Sequence, residues 1–80
     1  MQLSNSIKML RQKMLITQED FAKELGVSPS TVNRWEKGKA RPNLTAMKKL
    51  KSFCSKNDLP YEKIETEWLS HSEAGVPPNP

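Results

Sequence analysis

The amino-acid sequence predicts an all-α fold, a compact five-helix bundle, and three observations carry that prediction. Apolar residues recur at helical spacing in five separate stretches, and no stretch alternates in the way a strand requires. Four of the five open on a residue suited to cap a helix: Thr17, Ser28, Asn43 and Asp58. Gly26 and Gly38 close two of them, where a left-handed residue stops a helix cheaply.

The first helix spans residues 2–14, with Leu3, Ile7, Leu10 and Met14 on one side. Thr17 caps the second, whose first turn holds Gln18, Glu19 and Asp20, acids that suit the positive end of the helix dipole. Phe21, Ala22 and Leu25 form its buried side, and Gly26 ends it. Ser28 caps the third helix, residues 28–37, Pro29 suits its first turn, and Gly38 terminates it. Arg41-Pro42-Asn43 is a turn ending in a cap for the fourth, which carries Leu44, Met47, Leu50, Phe53 and Cys54. Asp58 with Pro60 starts the fifth, where Tyr61, Ile64 and Trp68 share a face. From Ser70 the chain loses periodicity and gains Pro77, Pro78 and Pro80. The expected division is therefore one domain over 1–69 and a disordered tail over 70–80.

Composition narrows the function. Eighty residues at 35% apolar and 28% charged make one small globular domain. Residues 1–51 hold eleven Lys/Arg against four Asp/Glu, whereas residues 52–80 hold two against five. A basic body with an acidic end fits a polyanionic partner for the body. Cys54 is the single cysteine, so an internal disulfide or a cysteine-built metal cluster cannot form; a small buried thiol is expected. His71, the single histidine, sits near the proline-rich end, an unpromising place for a metal or a catalytic base. No phosphate-cradling glycine loop, zinc-binding helix or nucleophile elbow is present, so an enzyme has no residues to stand on. The chain shows no signal-peptide core and no run long enough to span a bilayer. The expectation is a cytoplasmic, nucleoid-associated protein with no cofactor and no metal.

The segment G-V-S-P-S-T-V-N-R-W-E-K-G, residues 26–38, is the most informative. Around a helix axis, Val32 and Trp35 make one narrow apolar stripe, flanked by Ser28 and Glu36. Ser30, Arg34 and Lys37 lie opposite, with Thr31 and Asn33 to either side. A helix that buries so little works through its open face. Arg can bond both acceptors of a guanine, and Asn can bond adenine through its amide. Ser28 and Ser30 leave hydroxyls and backbone N–H groups at a helix N-terminus, which suits a phosphate. Lys48, Lys49 and Lys51 read instead as a solvated face of the fourth helix.

Phe21, Leu25, Val27, Val32 and Trp35, with small Ala22 at the closest approach and Gly26 in the turn, match a helix-turn-helix unit over Gln18 to Glu36. With T-Q-E-D-F-A-K-E-L-G-V-S and W-E-K-G-K-A-R-P, the chain resembles the phage Cro and repressor group, the xenobiotic-response-element family, over about residues 3–69. The resemblance implies a lambda-repressor-like, five-helix DNA-binding domain whose third helix enters the major groove, usually as a homodimer on a near-palindromic operator. It implies that Gln18 holds a phosphate and that Ser30, Asn33 and Arg34 face base edges. It also implies that Lys37, Lys39, Arg41 and Asn43 approach the backbone of double-stranded DNA. Pro29 departs from the family's usual polar residue, and its ring would touch a thymine methyl at most.

Two charges fall on inner faces. Arg11 lies on the stripe of the first helix, between the directions of Ile7 and Leu15, and Glu36 lies on the inner side of the third. A buried Arg11–Glu36 pair accounts for both, and the resemblance implies the same pairing; separate snorkelling to solvent is the alternative. The functional reading is a sequence-specific transcriptional regulator, a repressor by occupancy. The competing reading is an antitoxin or similar interaction module, with residues 58–69 contacting a partner protein. RNA binding is disfavoured because Phe21, Trp35, Phe53, Tyr61 and Trp68 are all assigned to inner faces.

Overall fold

A computed structural model describes residues 2–73, with side chains through Ser70. The described chain is all-helical: α1 (Gln2–Lys13), α2 (Gln18–Leu25), α3 (Pro29–Glu36), α4 (Leu44–Lys56) and α5 (Glu62–Glu73), with no strand among the described residues. Three side-chain caps define the starts that matter for the site. Thr17 accepts from the Asp20 N–H, Ser28 from the Thr31 N–H and Asn43 from the Ala46 N–H, each relieving an otherwise unpaired amide of a first turn.

The core is one cluster. Leu3, Ile7 and Leu10 of α1 meet Phe21, Ala22 and Leu25 of α2, Val32 and Trp35 of α3, and Met47, Leu50, Phe53 and Cys54 of α4. Phe21 and Phe53 stack edge to face, with centroids 5.3 Å apart and planes at 72°, which ties α2 to α4. α2 packs chiefly on α3, and α1 on both α3 and α5. Among the described residues of α5, Ile64 is buried in the core and Trp68 packs against it partly buried. Ser6 of α1 donates to Glu67, and the Tyr61 hydroxyl donates to the Met47 carbonyl at 3.4 Å.

The turn between α2 and α3 is closed by Gly26 at φ +69°, with Val27 N–H bonded to the Ala22 carbonyl at 3.0 Å. Gly38 at φ +73° ends α3 in the same way, through Lys39 N–H to the Arg34 carbonyl at 2.9 Å. The six-to-one bond of this motif satisfies a carbonyl that the helix itself leaves open.

Three expectations are corrected. Leu15 does not extend the stripe of α1: the helix has ended, Leu15 stands at φ +58°, and 92% of it is exposed. Leu44 does not join the buried side of α4: it is the first residue after the Asn43 cap and is 62% exposed. Asp58 does not open α5. It takes the left-handed stop of α4 at φ +57°, with Leu59 N–H reaching the Cys54 carbonyl at 2.8 Å. α5 begins at Glu62, where the Tyr61 carbonyl accepts from the Glu65 N–H. At its other end α5 runs to Glu73. The rest of the expected tail, residues 74–80, lies outside the described residues, as does the side chain of His71.

Candidate nucleic-acid interface

The inner stripe of α3 is fully engaged: Val32 and Trp35 are buried. Its outer face stays open. Pro29, Ser30, Arg34 and Lys37 are exposed, Thr31 and Asn33 are half-buried at its edges, and Lys39 projects from the following loop. Ser28 spends its hydroxyl locally, accepting from the Thr31 N–H at 3.2 Å and sharing a hydrogen bond with the Thr31 hydroxyl at 2.9 Å. Asn43 is likewise occupied through Oδ1, which accepts from Ala46 at 2.8 Å.

Behind the face lies a polar chain. Arg11 Nε donates to Glu36 Oε2 at 2.7 Å and Nη2 to Oε1 at 3.0 Å, a two-point pair with side chains only 14% and 3% exposed. Arg11 Nη1 also donates to the Ile16 carbonyl at 2.9 Å, which fixes the α1–α2 connection. Burial alone would raise the Glu36 pKa; the hydrogen bonds from Arg11 and Gln18 and the charge of Arg11 outweigh it, and the carboxyl is held below its ordinary value. Arg11 is shifted up, chiefly by its hydrogen bond to Glu36.

Gln18 continues the chain. Its Nε2 donates to Glu36 Oε1 at 3.0 Å, and its Oε1 accepts from Asn33 Nδ2 at 3.3 Å. The polarity is forced: an ionised carboxylate only accepts, so Gln18 must turn its NH₂ toward Glu36 and its carbonyl toward Asn33. Asn33 then keeps one amide N–H and its carbonyl oxygen for another partner. This link was not legible in the sequence, where Gln18 stood only as a phosphate contact. The available signal was three polar residues, Gln18, Asn33 and Glu36, flanking one helix–helix contact.

Arg41, expected from the sequence to approach the DNA backbone, is engaged within the fold: its guanidinium lies 4.4 Å from the centroid of the Trp68 ring, and Nη2 donates to the Trp68 carbonyl at 3.1 Å. Its Nε is buried without a hydrogen-bond partner, and burial lowers its pKa. Trp68 in turn donates through Nε1 to the Pro42 carbonyl at 2.7 Å. These contacts of Trp68 were not legible in the sequence because the partners are more than twenty residues away.

Fold and face together define an all-helical domain built around a helix-turn-helix. The family described as Helix-turn-helix matches residues 7–55, and the chain belongs to it, in its Cro/repressor branch. Among similar proteins, the HTH-type transcriptional activator BcrR of Enterococcus faecalis is 34% identical over 55 residues, 69% of this chain and 27% of BcrR. The uncharacterized HTH-type transcriptional regulator MJ0272 of Methanocaldococcus jannaschii is 43% identical over 51 residues, 64% of this chain and 77% of that protein. The chain thus spans about a quarter of BcrR but most of the archaeal relative. No solved structure gives a significant match. Among the described residues, no helix is long and apolar enough to cross a membrane.

Proposed function

We propose that this chain is a sequence-specific DNA-binding transcriptional regulator that inserts α3 into the major groove and acts by occupying its operator, as a repressor. One observation carries the reading: the apolar burial of α3 is confined to Val32 and Trp35, and its outer face is left open, basic and hydrogen-bonding. Arg34 is the candidate reader of guanine. Asn33, with one N–H and its carbonyl left over, has the donor–acceptor pair that adenine N7 and N6 require. Ser30 is a further base-edge contact, Pro29 and Thr31 border it, and Lys37 and Lys39 hold phosphates. Gln18 contributes by orienting Asn33, whatever it adds at a phosphate. The names of the relatives, both transcriptional regulators, support the same class.

Selection of bound sequences from random duplex DNA tests this. The expected result is a compact motif with G and A at adjacent positions; recovery of unselected sequence would overturn it. A second reading is favoured by one feature, the acidic α5 with Leu69 half-exposed: residues 58–69 would contact a partner protein. A pull-down in which Leu69→Glu retains the same bound proteins as the unaltered chain would count against that partner.

A further inference from the structure

The family match stops at residue 55, yet the loop after α3 is held by a helix beyond that point. Residues 37–43 join α3 to α4 and present exposed Lys37 and Lys39. Their far end is fixed by three contacts to one residue of α5. Trp68 donates to the Pro42 carbonyl, lies under the Arg41 guanidinium, and accepts from Arg41 through its own carbonyl. Pro42 is itself fully buried, so the loop cannot shift there without opening the core. α5 is in turn pinned to α1 through Ile64 and the Ser6–Glu67 hydrogen bond. An arginine that could have met a phosphate is thus turned inward, its Nε left unsatisfied, to close this contact.

We propose that Trp68 is a positioning residue for DNA binding: with Arg41 and Pro42 it sets the loop 37–43 so that Lys37 and Lys39 meet the phosphate backbone. The proposal rests on the reading of α3 and its loop given above. Trp68 touches no DNA; it acts through the loop. Its loss therefore weakens binding to every sequence alike and leaves base preference intact, because Asn33 and Arg34 are set by α2 and α3.

The test measures affinity of the full chain for selected and unrelated duplexes across a salt series, with helicity checked at the same temperature. Trp68→Ala is expected to weaken all duplexes by about threefold to tenfold near 0.1 M salt and to flatten the log–log salt slope by about 0.9 per disengaged lysine. Trp68→Phe keeps a ring under Arg41 but lacks the indole N–H, and falls between. Arg41→Gln loses the ring contact and the bond to the Trp68 carbonyl but keeps the Trp68–Pro42 bond, so it weakens binding less than Trp68→Ala, and the double variant falls short of the sum because the two share the ring contact. A folded Trp68→Ala with unchanged affinity and slope overturns the proposal, and so do additive effects, which would mean Arg41 meets phosphate itself. Should Trp68→Ala not fold, Trp68→Phe and Arg41→Gln decide by the same measures. A wild-type chain that binds no duplex defeats the reading of α3 instead. Amide exchange of residues 37–43 then decides positioning alone, faster exchange in Trp68→Phe supporting it and unchanged exchange overturning it.

Discussion

Glu36 collects hydrogen bonds from Arg11 and Gln18 while almost wholly buried, so its charge is tolerable only while both partners stay. Arg11→Ala or Glu36→Ala is expected to cost about 3–5 kcal/mol, because the surviving charge is left buried and unpaired. That approaches the whole stability of a domain this size, and replacing both by apolar residues should recover much of it. Thermal melts followed by circular dichroism check the pair; an Arg11→Ala melt within a few degrees of wild type would refute it. The pH dependence follows from the lowered Glu36 pKa. A carboxyl depressed on folding adds stability above its unfolded pKa, near 4.5, and loses it as pH falls through the lower folded value. Urea midpoints should therefore hold between pH 6 and pH 8 by this group (about two units above its ordinary range) and drop below about 4.5, with a shallower drop in Glu36→Gln. At the reading face, Arg34→Ala should cost about 1–3 kcal/mol on the preferred duplex and relax one position of the selected motif. Gln18→Ala should blur the adenine position while Arg34's guanine stays sharp.

Helix ends show where local chemistry and chain geometry disagree. Gly26 and Gly38 take left-handed conformations that cost glycine nothing, but Leu15 and Asp58 take the same conformation with a side chain. Asp tolerates it; Leu does not, and Leu15 at 92% exposure gains no packing in return. Leu15→Gly should stabilise the domain by roughly 0.5–1 kcal/mol, net of the greater freedom glycine has when unfolded. Gly26→Ala should do the reverse, by roughly 1–2 kcal/mol. Its new Cβ would meet only the mobile Lys49 ammonium, 2.8 Å away, so the backbone angle sets the cost. Denaturant titrations of the two variants should move in opposite directions.

One α3 offers three or four base-reading side chains, enough to specify about four base pairs. A site that short recurs every few hundred base pairs or so, too often to mark an operator. We therefore propose a homodimer on DNA, with two-fold-related half-sites roughly 34 Å apart. α5 divides its residues for such a contact: Ile64 belongs to the core, Trp68 to the α3–α4 loop, and Leu69 remains half-exposed. Affinity for a two-half-site duplex should exceed that for a duplex with one half-site scrambled, at two chains per intact site. Equal affinity and one chain on both would sink the dimer.

Elements with local causes were legible in the sequence by itself. Caps at Thr17, Ser28 and Asn43, stops at Gly26 and Gly38, and the stripes of α1 to α4 depend on residues close in sequence, and all are found in the fold except that Leu44 stays outside the stripe of α4. The open face of α3 was legible for the same reason. What only the tertiary structure decided involves partners distant in sequence: Gln18 between Glu36 and Asn33, Arg41 turned to Trp68, and α5 started at Glu62. A side chain's hydrogen-bonding capacity is written in its residue type, but its direction is set by which helices cross beside it. Arg41 is as basic as Lys39 in the sequence; the ring brought under it by α5, twenty-seven residues on, makes it a strut.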